Sequence, residues 1–171
     1  MHLEISFRFS TEERGRSSVS DWIKGMKQKE DEAKQQGQLE NNLRLHRAAI
    51  IKAKAPAFWL SITERVEVDC AELNETFKHN LRRHCEFQRR DPDGFVVTGK
   101  TPALNILRLN LNLDALGVDQ EFFAGEVRRA NRGILEFGID TNDEIYISGL
   151  GGQLNDPGRI SEQLIKKVIQ E

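Results

Sequence analysis

Between Phe58 and Leu81 apolar residues recur every third or fourth position, at Phe58, Ile62, Val66, Cys70, Leu73, Phe77 and Leu81. That period places them on one side of a helix and predicts a continuous stripe down which a sheet packs. After Arg82-Arg83-His84 the period changes to two. Cys85, Phe87 and Arg89 alternate with Glu86, Gln88 and Arg90, and Asp91-Pro92-Asp93-Gly94 follows as a turn. Proline presets φ there, and glycine allows a positive φ. Phe95 to Thr98 returns as the second strand of a hairpin, and Gly99 to Pro102 breaks it. The clearest strand comes next: Leu107, Leu109, Leu111 and Leu113 point one way, Arg108, Asn110 and Asn112 the other. Alternation of this kind predicts a sheet with one buried face and one wet face.

The pattern then predicts a short helix. Asp119 is its cap, Phe122, Phe123 and Val127 its apolar side, Arg128, Arg129 and Arg132 its dipole-favoured end, and Gly133 its stop. Leu135, Phe137 and Ile139 make a fourth strand, Thr141-Asn142-Asp143 a hairpin loop, and Glu144 to Ser148 a fifth strand. Asp156-Pro157 starts the last helix, with an N-cap followed by proline at the first position. Ile160, Leu164, Ile165, Val168 and Ile169 form its apolar side.

Upstream the pattern is weaker. Residues 1–9 alternate, with Met1, Leu3, Ile5, Phe7 and Phe9 on one side. They read either as a half-buried strand that adds to a sheet edge or as frayed or additional terminal sequence. Residues 10–17 look like a polar, basic linker. A helix is expected from Ser18 or Ser20, with Asp21 completing a capping box and Trp22, Ile23 and Met26 as a short apolar stripe. Residues 27–38 hold Ala33 as their only apolar side chain, so a helix there has nothing to bury. Pro56 either kinks one long helix or starts a new one, since proline disfavours helix at the residue before it and suits a first turn. The expected organisation is a flexible or strand-like tail over 1–17, a helical extension over 18–55 and an α+β domain over 56–171. That domain has a five-stranded antiparallel sheet with helices on one face, in the order helix, three strands, helix, two strands, helix.

Composition narrows the function classes. Apolar residues make up 38% of the 171, which is low enough to imply that part of the chain lies outside a core. The formal net charge of −2 gives no general attraction to nucleic acid or anionic membrane. No apolar run approaches a membrane span, and no apolar leader stretch is visible at the N-terminus, so a cytoplasmic protein with reduced Cys70 and Cys85 is expected.

Candidate chemistry is sparse. Gly149-Leu150-Gly151-Gly152 lies between a strand and a helix, the context of a phosphate loop. It lacks a following Gly-Lys-Ser/Thr, and Leu154 stands where a dinucleotide motif has its third glycine. Cys70, His79, His84 and Cys85 are chemically able to bind zinc but lack its paired short spacings. Arg82, Arg83, Arg89, Arg90, Arg108, Arg128, Arg129 and Arg132 crowd one half of the chain. The wet face lacks stacking aromatics apart from Tyr146, so a solvated, salt-bridged surface is the expectation rather than RNA binding. No catalytic, metal or cofactor residues are assigned.

From Ala57 onward the order of elements resembles the type III secretion chaperone fold and its YbjN-like bacterial relatives. The segment 126–133, EVRRANRG, running into residues 134–147, is similar to their middle helix and following hairpin, with Asn131 just before the strand. The resemblance implies a non-enzymatic binding module, commonly a homodimer, that serves as chaperone, adaptor or regulator, with no cofactor. Trp22, Met26, Phe122 and Phe123 are the expected partner-binding residues, for a protein partner or a second copy. The alternative expectation is an enzyme or small-ligand protein using the Gly149–Gly152 loop and the polar sheet face.

Overall fold

The computed structural model describes residues 13–90, 93–99, 104–125 and 130–169. The alternating segment 1–9 lies outside them. The chain divides into two compact units, Met1–Leu45 and His46–Glu171, and helix α1 (Glu13–Thr76) begins in the first and ends in the second.

In the first unit, side chains from Val19 to Leu45 are exposed, with Gly25 alone partly covered. The helix begins at Glu13, before the expected Ser18 or Ser20, so Ser18 and Asp21 are interior positions rather than a cap. Once a helix exists, each added residue gains one hydrogen bond for one fixed pair of dihedrals, so polar turns extend it readily. Side-chain pairs one turn apart support it: Gln28 to Glu32 at 2.9 Å, Lys34 to Glu30 at 2.8 Å and Gln36 to Glu40 at 3.4 Å. Each such pair stabilises a helix by about 0.2–0.5 kcal/mol.

In the second unit α1 has a different basis. Ile51, Ala55, Trp59, Ile62, Val66 and Cys70 are buried, at steps of four, four, three, four and four. Pro56 lies inside the helix, which settles the sequence alternatives: α1 continues through it. An interior proline removes one backbone hydrogen bond and costs about 3 kcal/mol. The docked stripe on both sides of it, Ile51 and Ala55 before and Trp59 and Ile62 after, holds the helix together. The stripe ends sooner than its period suggested. The helix stops at Thr76, and Leu81, expected on the buried side, is exposed in a 3-10 turn, Leu81–Arg83. Asn80 breaks the run: its amide donates to the Phe77 carbonyl at 2.7 Å and its side chain accepts from the Arg82 amide at 3.2 Å.

Six strands follow as an antiparallel meander in chain order: β1 (Cys85–Arg90), β2 (Gly94–Gly99), β3 (Asn105–Asn112), β4 (Gly117–Phe123), β5 (Asn131–Ile139) and β6 (Ile145–Ser148). Helix α2 (Pro157–Ile169) closes the chain. Asp156 caps α2 as expected, its carboxylate accepting from the Gly158 amide at 2.8 Å. The α+β class and the hairpins agree with the sequence pattern. The five-strand count does not, nor does the middle helix expected from Asp119 to Gly133, whose described residues at either end are strand.

The predicted middle helix is strand β4, which pairs with β3 and β5. Val118 and Phe122 are four residues apart, a spacing that fits one side of a helix and also one face of a strand. Hydrogen bonding on both edges selects the strand: Val118 faces Leu111 and Leu135, and Phe122 faces Leu107 and Asn131. Arg132 and Gly133, read as a helix end and stop, lie inside β5 opposite Glu121 and Gln120. Val127, Arg128 and Arg129 fall outside the described residues.

The core lies between one sheet face and the two helices. Phe87, Val97, Leu107 and Phe122 form one cross-strand row, and Leu111, Val118 and Leu135 another. Trp59 stacks on Phe95 at 5.1 Å, and its indole N–H donates to the Asp93 carbonyl at 2.9 Å. Beneath the end of α2, Gly99 leaves no room for a side chain: a Cβ there would stand 2.4 Å from the Val168 carbonyl oxygen. Buried Asn105 completes that junction, donating to the Val168 carbonyl at 3.0 Å and accepting from the Gly125 amide at 3.2 Å.

Candidate functional site

Two surfaces combine exposed apolar groups with charge, one in each unit. In the first unit Val19, Trp22, Ile23 and Met26 follow one another at i, i+3, i+4 and i+7 along α1, each more than half exposed, with Trp22 at 65%. A helix that presents its apolar anchors at these steps has the pattern used to enter a partner's groove. Trp22 and Met26, singled out from the sequence, both belong to this stripe.

The second surface is a groove of about 860 Å³ between the end of α1, the 3-10 turn and α2. Half-buried and buried apolar residues line it: Leu73 and Phe77 from one side, Ile165 and Ile169 from the other. Exposed Arg82, Arg83 and Lys166 add positive charge. Its two acids are already paired. Asp69 accepts from Arg65 at 2.8 Å, and Glu162 accepts from Lys166 at 2.7 Å, which holds the Glu162 carboxyl below its ordinary range. The Arg83 guanidinium lies 4.8 Å from the Phe77 ring centre. Sequence inspection missed this groove because it assigned Phe77 to a buried helical stripe. The break at Asn80 turns Phe77 and the arginine pair toward α2.

Phe122 and Phe123 do not form one patch. As neighbours on a strand they point to opposite faces. Phe122 packs against the core, while the Phe123 ring lies under the Arg108 guanidinium at 4.9 Å on the wet face. There Arg108, Glu121 and Arg132 form a cross-strand row, with Glu121 within 3.8 Å of Arg108 and 3.0 Å of Arg132. The central acid pairs with both arginines, which gives the salt-bridged surface expected of that face.

The Gly149–Gly152 loop is tied to the core. Leu150 is buried, and Ile147 and Leu154 bond each other's backbone at 2.8 and 2.9 Å on either side of it. Gly149 and Gly151 have φ of +101° and +88°, a region that glycine occupies without strain. The glycines therefore serve the turn from β6 back toward α2.

Cys70 and Cys85, separated in sequence, meet in the fold. Both thiols are free and buried, and both line a cavity of about 320 Å³ with Asn74 and Phe87. Asn74 fixes the junction: its side chain donates to the Cys85 carbonyl at 2.7 Å and accepts from the Cys85 amide at 3.0 Å. His84 points elsewhere, its ring bonded to the Phe77 carbonyl at 2.8 Å, and no group of metal-ligating side chains forms among the described residues. No helix among the described residues is long and apolar enough to cross a membrane. In comparisons with known proteins, no family model, curated protein or solved structure matches this chain.

Proposed function

We propose that this chain is a non-enzymatic protein-binding module that acts as a chaperone, adaptor or regulator, and that it associates as a homodimer through the first part of α1. The observation that carries this is the Val19–Trp22–Ile23–Met26 stripe, four large apolar side chains at helix-anchor spacing with no cover from their own unit. Exposed apolar patches on soluble chains mark interaction surfaces, and tryptophan is enriched among residues that dominate binding energy. Phe122 and Phe123 contribute less to this reading, since both are half-buried, one packed against the core and the other under Arg108. Sedimentation of the full chain tests the proposal. Trp22→Ala with Met26→Ala is expected to convert dimer to monomer without changing the unfolding of the sheet. An unchanged dimer, or a wild-type chain that is monomeric, overturns it.

A second reading, a small-ligand protein, is favoured by the α1–α2 groove rather than by the glycine loop. Its volume falls within the range of ligand sites, about 300–1,000 Å³, and apolar walls with a few cations suit an anionic amphiphile. A thermal-shift screen with alkyl carboxylates and alkyl phosphates tests it. Stabilisation that is lost in Arg82→Glu/Arg83→Glu supports this reading, and no stabilisation by any of them removes it.

A further inference from the structure

Cys70 is carried by the penultimate turn of the α1 stripe and Cys85 is the first residue of β1. Between them runs the segment 71–84, which contains the end of α1, the 3-10 turn and most of the groove-lining residues of one side: Leu73, Phe77, Asn80, Arg82 and Arg83. The two thiols line one cavity, and Asn74, one turn after Cys70 on α1, holds the Cys85 backbone through both its carbonyl and its amide. Although both are buried, they line the same 320 Å³ cavity, whose other walls include exposed Glu67 and Glu86. A buried thiol serving only as an apolar filler has no need of a second thiol beside it or of an adjoining cavity.

We propose that Cys70 and Cys85 are a redox modification site, a dithiol that hydrogen peroxide converts reversibly to a disulfide tying α1 to β1. The steps balance. The Cys85 thiolate attacks one peroxide oxygen, the O–O bond breaks, and Cys85 becomes a sulfenic acid while the other oxygen leaves as hydroxide and takes up the Cys85 proton to form water. The Cys70 sulfur then attacks the Cys85 sulfur, the S–O bond breaks, and the hydroxyl departs with the Cys70 proton as a second water. Two electrons pass from the two sulfurs to the peroxide, and a dithiol reductant returns them. Cys85 is placed first because a hydrogen bond from the Cys70 thiol favours its thiolate, against the opposing effect of burial. Cys70 is held as the thiol by its hydrogen bond to Cys85 and by burial. The disulfide closes the segment 71–84 into a covalent loop and so restrains one wall of the groove. This inference does not depend on the dimer or ligand proposals.

The test uses the native full chain treated with hydrogen peroxide, then alkylated and weighed intact. Free thiols are expected to fall from two to none, with a mass loss of about 2 Da for two hydrogens, and dithiothreitol is expected to restore both. Cys70→Ser is expected to leave Cys85 as a sulfenic acid that a dimedone probe captures. Amide exchange over 71–84 is expected to slow in the oxidised chain. The proposal is overturned if both thiols of the native chain remain alkylatable after peroxide treatment and oxidise only on denaturation. It is also overturned if Cys85 gains oxygen as a sulfinic acid with Cys70 still free.

Discussion

The two parts of α1 share one backbone conformation and differ in what sustains it. From Val19 to Leu45 the side chains stand in solvent, and the helix rests on propensity and pairs such as Lys34–Glu30. From Ile51 to Cys70 one side is removed from water at every turn, and the stripe keeps the helix intact even through Pro56. The same residue type therefore has opposite meaning in each part. Trp59 fills the core and bonds the Asp93 carbonyl, while Trp22 presents its ring to solvent. The first is a folding residue, and the second is the residue proposed above for recognition.

That contrast is sharpest for the tryptophans. Trp59→Ala is expected to destabilise the second unit by about 3–5 kcal/mol, through lost burial and the cavity left beside Phe95. Trp22→Ala is expected to stay within about 0.5 kcal/mol of wild type, as for an exposed position. Denaturant unfolding followed by far-UV circular dichroism measures both, and comparable losses at the two sites would erase the distinction.

The glycines test it next, with a change of sign. In Gly99→Ala the new methyl group meets the Val168 carbonyl oxygen and Cγ1, at 2.4 and 2.9 Å, so an overpacking cost of about 1–3 kcal/mol is expected. Gly37 has nothing within 4 Å, and Gly37→Ala is expected to gain about 0.5–1 kcal/mol of helix stability. The thermal midpoint reports the first and helical ellipticity the second. A loss of helicity at Gly37 would mean that something covers the exposed part of α1.

Asn105→Ala is expected to cost about 1–3 kcal/mol, because the Val168 carbonyl and the Gly125 amide each lose a buried partner. Faster amide exchange at the end of α2 would be its local sign. The smallest effect belongs to the exposed helix: Glu30→Ala removes the Lys34 pair, for about 0.2–0.5 kcal/mol, and high salt is expected to abolish the difference.

Much of this fold was legible where pattern and packing agree. The Leu107–Leu111 alternation, the pairing of β1 with β2, the Asp156-Pro157 cap and the Ile62–Val66–Cys70 stripe all report periodicity or local backbone chemistry, whereas Asp91 and Pro92 of the expected turn lie outside the described residues. Legibility failed where a local pattern allowed two structures. Val118 and Phe122 suit a helix or a strand, and the choice was made by β3 and β5, whose hydrogen bonds lie outside the segment. Trp59 was passed over in favour of its neighbour Phe58, which is half-buried against Phe137 at 6.3 Å. The helical phase set by Ile51 and Ala55 would have picked out Trp59.

The candidate surfaces divide in the same way. The Trp22–Met26 stripe is a property of spacing on one helix, so it could be read from the chain. The groove and the thiol pair could not, because each brings together residues from elements that meet only when α1, β1 and α2 pack. By itself the sequence determined the hairpins, the docked stripe of α1, the cap of α2 and the excess of apolar side chains on an otherwise polar helix, all set by interactions within a few residues. Tertiary structure alone decided the sixth strand, the turning of Phe77 toward α2 and the meeting of Cys70 with Cys85. Those depend on hydrogen bonds and burial between segments distant in the chain, which no local pattern encodes.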